Sequence, residues 1–91
     1  MDTSSTYVAV RLLARSKVER DKGNLERAVE LLESVITLGE NDEAFRRQYP
    51  YLAAHINLYR IHRATGHDKE ARGYFAKAIV LGATRKEIIE D

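Results

Sequence analysis

One sequence pattern occurs twice in this chain. Its first copy reads Gly23-Asn24-Leu25-Glu26-Arg27-Ala28 and is continued at fixed intervals by Leu32, Ile36, Leu38 and Gly39. The second copy starts 43 residues later and reads Gly66-His67-Asp68-Lys69-Glu70-Ala71, continued by Phe75, Ile79, Leu81 and Gly82. Seven aligned positions keep the same residue or the same chemical role. Self-similarity at a fixed period is the sequence signature of a repeat architecture. Because helical repeats usually present a surface to a partner rather than a catalytic cleft, the pattern predicts a binding module.

The composition is that of one small folded domain. The chain has 91 residues, of which 44% are hydrophobic and 32% charged, with a single proline and no cysteine. We therefore predict one domain over residues 1–91, without disulfides or thiolate metal sites. The net charge of +1 gives no argument for a nucleic-acid partner. Since no run approaches the ~20 apolar residues of a membrane span and the N-terminus does not resemble a signal peptide, we expect a cytoplasmic protein with no membrane partner.

Helical periodicity runs through the whole chain, and no segment shows the sustained alternation of a strand. The predicted helices cover residues 6–21, 25–38, 42–49, 50–64, 68–81 and 85–91. Ser4 or Ser5 is expected to cap the first helix. Gly39 is expected to end the helix over residues 25–38, and Gly82 the helix over residues 68–81. Thr84 and Glu87 have the spacing of a capping box, which predicts the start of the terminal helix.

The two copies resemble the tetratricopeptide repeat (TPR), a family built from pairs of antiparallel helices. The resemblance rests on two sets of signature positions: Ser16, Gly23, Ala28, Leu32 and Leu38 in the first repeat, and Leu58, Gly66, Ala71, Phe75, Ala78 and Leu81 in the second. It implies an all-α fold, a fragment of a right-handed α-solenoid made of two helix hairpins and a short C-terminal helix. The repeats would span about residues 9–42 and 52–85, with an insertion at 43–51.

The chain also departs from the family pattern. Arg15 and Glu19 occupy positions where the family places apolar groups, so we expect the first helix to be shifted by one residue, with Ala14 and Val18 facing inward. His55 and His62 occupy aromatic positions of the second repeat and are expected to be packing residues.

The resemblance further implies a peptide-binding groove on the concave face, formed by the first helix of each repeat. Its predicted lining consists of four cations, Lys17, Arg20, Arg60 and Arg63, and of the apolar Leu13 and Ile56. Because arginine forks suit carboxylates, we expect an acidic or C-terminal segment of a partner protein to bind there. The alternative, that these four cations form a solvated charged face as most helix-surface charges do, stays open at this stage.

No residue pattern indicates an enzyme or a cofactor. The histidines lack a third ligand at metal-binding spacing, and there is no phosphate loop or serine nucleophile in a recognisable turn. Two further functions stay open. One is self-association, for instance as a homodimer, because two repeats leave stacked faces uncovered. The other is nucleic-acid binding by the basic stripe with Tyr59 stacking on bases, which the near-zero net charge disfavours.

Overall fold

The computed structural model describes residues 4–89, and this part of the chain is helical with no strand. Five α-helices follow in order: α1 Ser4–Asp21, α2 Leu25–Glu40, α3 Tyr49–Ala64, α4 Asp68–Val80 and α5 Arg85–Ile89. The predicted helix over residues 42–49 is wrong: only a short 3-10 turn, Phe45–Arg47, forms there and precedes α3. The predicted all-α class is confirmed, and most helix boundaries agree with the prediction to within two residues.

The closest packing joins α1 to α2 and α3 to α4, so the chain forms two helix hairpins. The turns between the paired helices have the same backbone geometry. Gly23 and Gly66 adopt φ values of +86° and +82°, and the following N–H groups, of Asn24 and His67, donate to carbonyls five residues back at 2.8 and 2.7 Å. This is the glycine-terminated end that satisfies the last carbonyls of a helix and reverses the chain. The glycines that begin the repeated stretch therefore make the hairpins.

Two clusters of buried side chains hold the helices together. The first cluster lies between the hairpins and comprises Ala9, Ala28, Leu32, Val35, Phe45, Tyr51, Ala54, Leu58 and Ile61. The second cluster joins α3, α4 and α5 and comprises Ile56, Tyr59, Ala71, Ala78, Ala83 and Ile88. Helix α3 contributes to both clusters from two of its faces, so it is the central element of the fold.

The insertion between the repeats is packed into the first cluster. Phe45 is 1% exposed and meets the Tyr51 ring edge-on, with 6.0 Å between the ring centroids. The predicted end of α2 at Gly39 is wrong, because α2 continues to Glu40 and buries Gly39. The Tyr51 ring lies directly over this glycine, and a Cβ added to it would come within 2.8 Å of Tyr51 Cδ1. Gly39 is therefore needed for close packing rather than for a turn.

The predicted shift of the first helix is also wrong. Ala14 and Val18 are exposed, whereas Glu19 is buried. Its carboxylate accepts hydrogen bonds from Arg15 Nε and Asn24 Nδ2, both at 2.9 Å, so the charge is paired where the family pattern would place an apolar group. These bonds, the Asn24 bond first, lower the pKa of Glu19. The Glu19 hydrogen bonds thus join the end of α1 to the turn between α1 and α2.

The ends of the chain show two further outcomes. The predicted cap at Ser4 or Ser5 is wrong, because α1 begins at Ser4 and both serines lie inside it; the residue preceding this helix is outside the described range. The predicted capping box is confirmed: the Thr84 N–H donates to Glu87 Oε1 at 3.0 Å and the Glu87 N–H to Thr84 Oγ1 at 3.1 Å. The last two residues of the predicted terminal helix, 90 and 91, lie outside the described residues. None of the described helices combines the length and the apolar character needed to cross a bilayer.

Candidate functional site

The face shared by α1 and α3 carries an open cleft, here called the α1–α3 cleft. Its lining residues come from four helices: Arg20, Leu25, Tyr59, Arg60, Ile61, Arg63, Ala64 and Ile89. A smaller depression adjoins it through Arg20 and Ile61, and is also lined by Leu13, Lys17 and Asn57. The structure therefore places the four predicted cations along two adjoining depressions. No described residue that lines the cleft carries a carboxylate.

Arg20 and Lys17 bring the positive charge of α1 to this face. Arg20 is half-buried, and its guanidinium makes no hydrogen bond or ion pair with any other described residue. Lys17 is exposed, and its Nζ lies 3.5 Å from Asp21 Oδ2 across one turn of the helix. An exposed pair of this kind contributes little to stability and exchanges readily for another partner. Both cations are thus available to an incoming anion.

Arg63 enters the cleft from α3 in a fixed orientation. Its Nη1 donates to the Tyr59 hydroxyl at 2.6 Å, and the guanidinium carbon lies 6.0 Å from the centroid of the Tyr59 ring. The Tyr59 hydrogen bond raises the pKa of Arg63. Tyr59 itself is 7% exposed and packs its ring 5.4 Å from that of Phe75. A buried Tyr59 cannot stack on bases, which removes the aromatic contact required by the nucleic-acid hypothesis.

Arg60 has a different role from the one predicted. Its Nε donates to the Ile88 carbonyl at 3.2 Å and its Nη2 to the Glu87 carbonyl at 3.0 Å. These carbonyls belong to the last turn of α5, where backbone acceptors have no helical partner and a cation is favoured. Arg60 therefore fastens α5 to α3 at the edge of the cleft.

Ile56 is not a groove residue. It is 6% exposed and lies in the second cluster, which includes Ile88 of α5. The prediction failed because the family resemblance implies that this side of α3 is open, whereas here it packs in a cluster shared with α5. Leu13 is half-buried on the smaller depression, and packs against the first cluster. Of the two predicted apolar contacts, only Leu13 lies on the cation-bearing face.

The sequence prediction missed four aliphatic contributors to the cleft, Leu25, Ile61, Ala64 and Ile89. Leu25 opens α2 and Ala64 ends α3, so both lie beside the turns of the hairpins. Ile89 arrives with α5, and the capping box followed by Ile88 and Ile89 is the signal that could have indicated it. The cleft therefore combines an apolar floor with cations at its rim.

The histidines form an aromatic ladder rather than a metal site. His55 is 2% exposed, meets Tyr51 edge-on at 4.7 Å, and its Nδ1 lies 2.8 Å from the Tyr51 carbonyl. His62 stacks on Tyr74 with 5.5 Å between centroids and also meets the His67 ring at 5.6 Å. Within residues 4–89 no three His, Asp or Glu side chains are grouped so that they could hold a metal ion. His67 occupies the cap position of α4 without capping it, because its Nδ1 contacts Thr65 Oγ1 at 2.8 Å.

Comparisons of the chain with protein-family models, with curated proteins and with solved structures find no match. The resemblance to the tetratricopeptide repeat consequently rests on the quoted signature positions alone.

Proposed function

We propose that this chain is a protein-interaction module that binds an extended, acidic segment of a partner protein in the α1–α3 cleft. The observation that carries the proposal is the convergence of Arg20 from α1 and Arg63 from α3 on one cleft whose described lining includes no carboxylate. The chain as a whole has a net charge of only +1, so this is a local excess of cations. A segment with Asp or Glu side chains would supply the missing charge.

The cleft chemistry suits a peptide that alternates acidic and apolar side chains. A guanidinium presents a planar fork of donors that matches a carboxylate, and a cation whose position is already fixed loses less entropy on binding. Arg63 is held in this way by Tyr59. Leu25, Ile61, Ala64 and Ile89 supply the apolar lining against which the alternate side chains of an extended peptide would pack. Lys17 would meet the same peptide further along α1.

The same proposal includes a non-catalytic role, no cofactor and a cytoplasmic location. It also includes membership of a TPR-like class of helical repeats, for which the paired helices and matching glycine turns are the support. Arg60 belongs to the scaffold of the site rather than to its ligand contacts, because its donors are directed at α5.

The proposal is tested with a labelled peptide of about ten residues that alternates Glu and Leu and ends in a free carboxylate. We expect it to bind with an affinity that falls as salt is raised, because partly exposed ion pairs are screened over about 8–10 Å at physiological ionic strength. Arg20→Glu/Arg63→Glu should lower the affinity at least tenfold, the range expected when charged contacts are reversed. Arg60 is left unchanged so that α5 keeps its anchor.

The matched control is Arg27→Glu/Lys69→Glu, which changes the net charge equally at two exposed sites outside the cleft. This control variant should bind the peptide nearly as the parent does. Equal losses in both double variants would show a general charge effect and overturn the proposal. So would equal binding of a peptide in which Gln replaces every Glu.

Self-association is the second candidate function, and exposed apolar side chains at both ends of the molecule favour it. Val10 and Val18 on α1 are 53% and 46% exposed, and Val80 on α4 is 79% exposed. Against it, α5 already covers Ile56 and Ala78 on one edge of the hairpin stack, so less apolar surface needs a partner than two bare repeats would expose. Sedimentation that gives the monomer mass of 10.4 kDa up to high concentration would reject this candidate.

A further inference from the structure

The outer face of α1 is a second surface, separate from the α1–α3 cleft. Tyr7 and Val10 are 63% and 53% exposed, Val18 is 46% exposed, and Ala14 is exposed between them. Residues three and four positions apart share one side of a helix, so these four form a continuous line, here called the α1 stripe. A helix at the surface of a protein normally carries polar residues on this side. The α1 stripe is apolar along three turns.

The packing of α1 leaves this face open. Ala9, Ser16 and Glu19 are its buried residues, and its described contacts are with α2 and α3. Arg20 lies on the side of α1 that faces α3, where it lines the cleft together with Ile61 of α3. The α1 stripe is on the opposite side, and no described helix covers it.

The charges that flank the α1 stripe are mostly positive. Arg11, Arg15 and Lys22 are exposed around it. Of the two acidic side chains of α1, Glu19 is buried and paired with Arg15, which leaves only Asp21 exposed. The stripe is therefore an apolar line with a basic border, although the whole chain has a net charge of +1.

The basic border and the residue types of the α1 stripe distinguish among the partners that could cover it. A second copy bound through its own stripe would bring two basic borders together, because a two-fold contact uses the same patch on both partners. The exposed end of α4 of a second copy is no better suited to cover the stripe, since Lys77 lies one turn from Val80 and would bring a further positive charge to the basic border. A lipid surface is usually met by Trp, Phe and Leu, whereas this line consists of Tyr, Val and Ala. The small Ala14 at its centre instead allows another helix to approach closely.

We propose that the α1 stripe is a docking surface for an amphipathic α-helix of another protein, one whose apolar seam is bordered by Asp and Glu. The seam packs along Tyr7, Val10, Ala14 and Val18, and the acidic border meets Arg11 and the neighbouring cations. Arg11 is already directed along this face, because its Nη1 donates to the Tyr7 hydroxyl at 3.1 Å. This surface and the α1–α3 cleft act independently, so one molecule can hold two segments.

The test uses a synthetic helical peptide of about three heptads, with Leu at the a and d positions and Glu at e and g. We expect the full chain to bind this peptide, and Val10→Ser/Val18→Ser to weaken binding about tenfold or more, since each substitution removes an apolar contact from the seam. Both valines are about half exposed, so these changes should leave the fold intact, which circular dichroism checks. The matched control is Ile79→Ser/Val80→Ser, two exposed apolar residues on α4, which should bind as the parent does.

Three further measurements complete the test. The Arg20→Glu/Arg63→Glu variant should still bind the helical peptide; if it loses binding while Val10→Ser/Val18→Ser does not, the peptide occupies the cleft and the inference is wrong. A peptide with Lys instead of Glu at the e and g positions should bind more weakly; equal binding of the two peptides would overturn the proposal that the partner helix has an acidic border. Vesicles of anionic lipid that capture the parent but not Val10→Ser/Val18→Ser, or a dimer lost in that variant, would show that a membrane or a second copy covers the stripe and would overturn the proposal.

Discussion

Gly39 near the end of α2 and Gly73 in the middle of α4 have opposite surroundings. The Tyr51 ring and the Arg46 stem lie against Gly39, whereas no atom lies within 4 Å of the place that a Cβ on Gly73 would take. We expect Gly39→Ala to destabilise the fold by about 1–3 kcal/mol, because the added methyl group overpacks a closed contact. Gly73→Ala should instead stabilise it by about 0.5–1 kcal/mol, since alanine loses less backbone entropy in a helix. Urea unfolding of the two variants measures both signs, and two changes of the same sign would contradict the assignment.

His55 makes stability depend on pH in a window near neutrality. Its burial lowers the pKa of the imidazole in the folded chain, with nearby Lys77 acting in the same direction. In the unfolded chain the pKa returns to about 6.5, so the unfolded state binds the proton more readily. The free energy of unfolding should therefore fall as the pH is lowered through 6.5 towards the folded pKa.

Unfolding of the parent and of His55→Leu between about pH 7.5 and pH 5 tests this dependence. The variant should show the smaller slope, whatever its absolute stability. Glu19 does not interfere in this range, because its pKa is already below 4.5 and its own loss of stability comes at lower pH. Identical slopes in the two proteins would mean that another group is responsible.

At the scale of the element, α5 is a five-residue helix that depends on its contacts with α3 and α4. Isolated helices of this length are unstable in water, so the capping box, the buried Ile88 and the Arg60 hydrogen bonds must supply its stability. This small helix has two consequences for the site. It buries Ile56, and it brings Ile89 to the rim of the α1–α3 cleft.

Replacing Arg60 with methionine should loosen α5 selectively. The apolar stem is kept while the donors to the Glu87 and Ile88 carbonyls are lost, at a cost of about 1 kcal/mol for hydrogen bonds at a partly exposed site. Amide exchange of Ile88 and Ile89 should become faster, with little change in α1 and α2. Arg72→Met, on the exposed side of α4, serves as the control. Unchanged exchange in α5 would show that the guanidinium is not its anchor.

At the scale of the whole molecule, the two hairpins place their cations unevenly. Arg20, Arg60 and Arg63 meet at the α1–α3 cleft, and a separate basic border surrounds the apolar α1 stripe. The acidic residues Glu26, Glu30 and Glu33 are exposed on α2 instead. A nearly neutral chain can therefore present local fields strong enough to select acidic partners, because exposed charges further apart than about 10 Å are screened from one another at physiological salt.

The sequence by itself determined the helical class, the hairpin turns and the start of α5. Gly23, Gly66 and the Thr84–Glu87 box act through backbone conformation and hydrogen bonds within a few residues, so their effect can be deduced from the local pattern. The placement of α1 and α3 side by side, and with it the grouping of cations, was an expectation that the resemblance to the tetratricopeptide repeat implied.

Only the tertiary structure decided which of these residues are available to a partner. Gly39 resembles Gly82 in sequence, yet Tyr51 packs over it and α2 continues past it. Glu19 occupies an apolar position because Arg15 and Asn24 compensate its charge. Ile56 is covered, and Arg60 engaged, by a helix 28 residues further along the chain. Such contacts join residues distant in sequence, and their free energy depends on how whole elements dock, which no local pattern encodes.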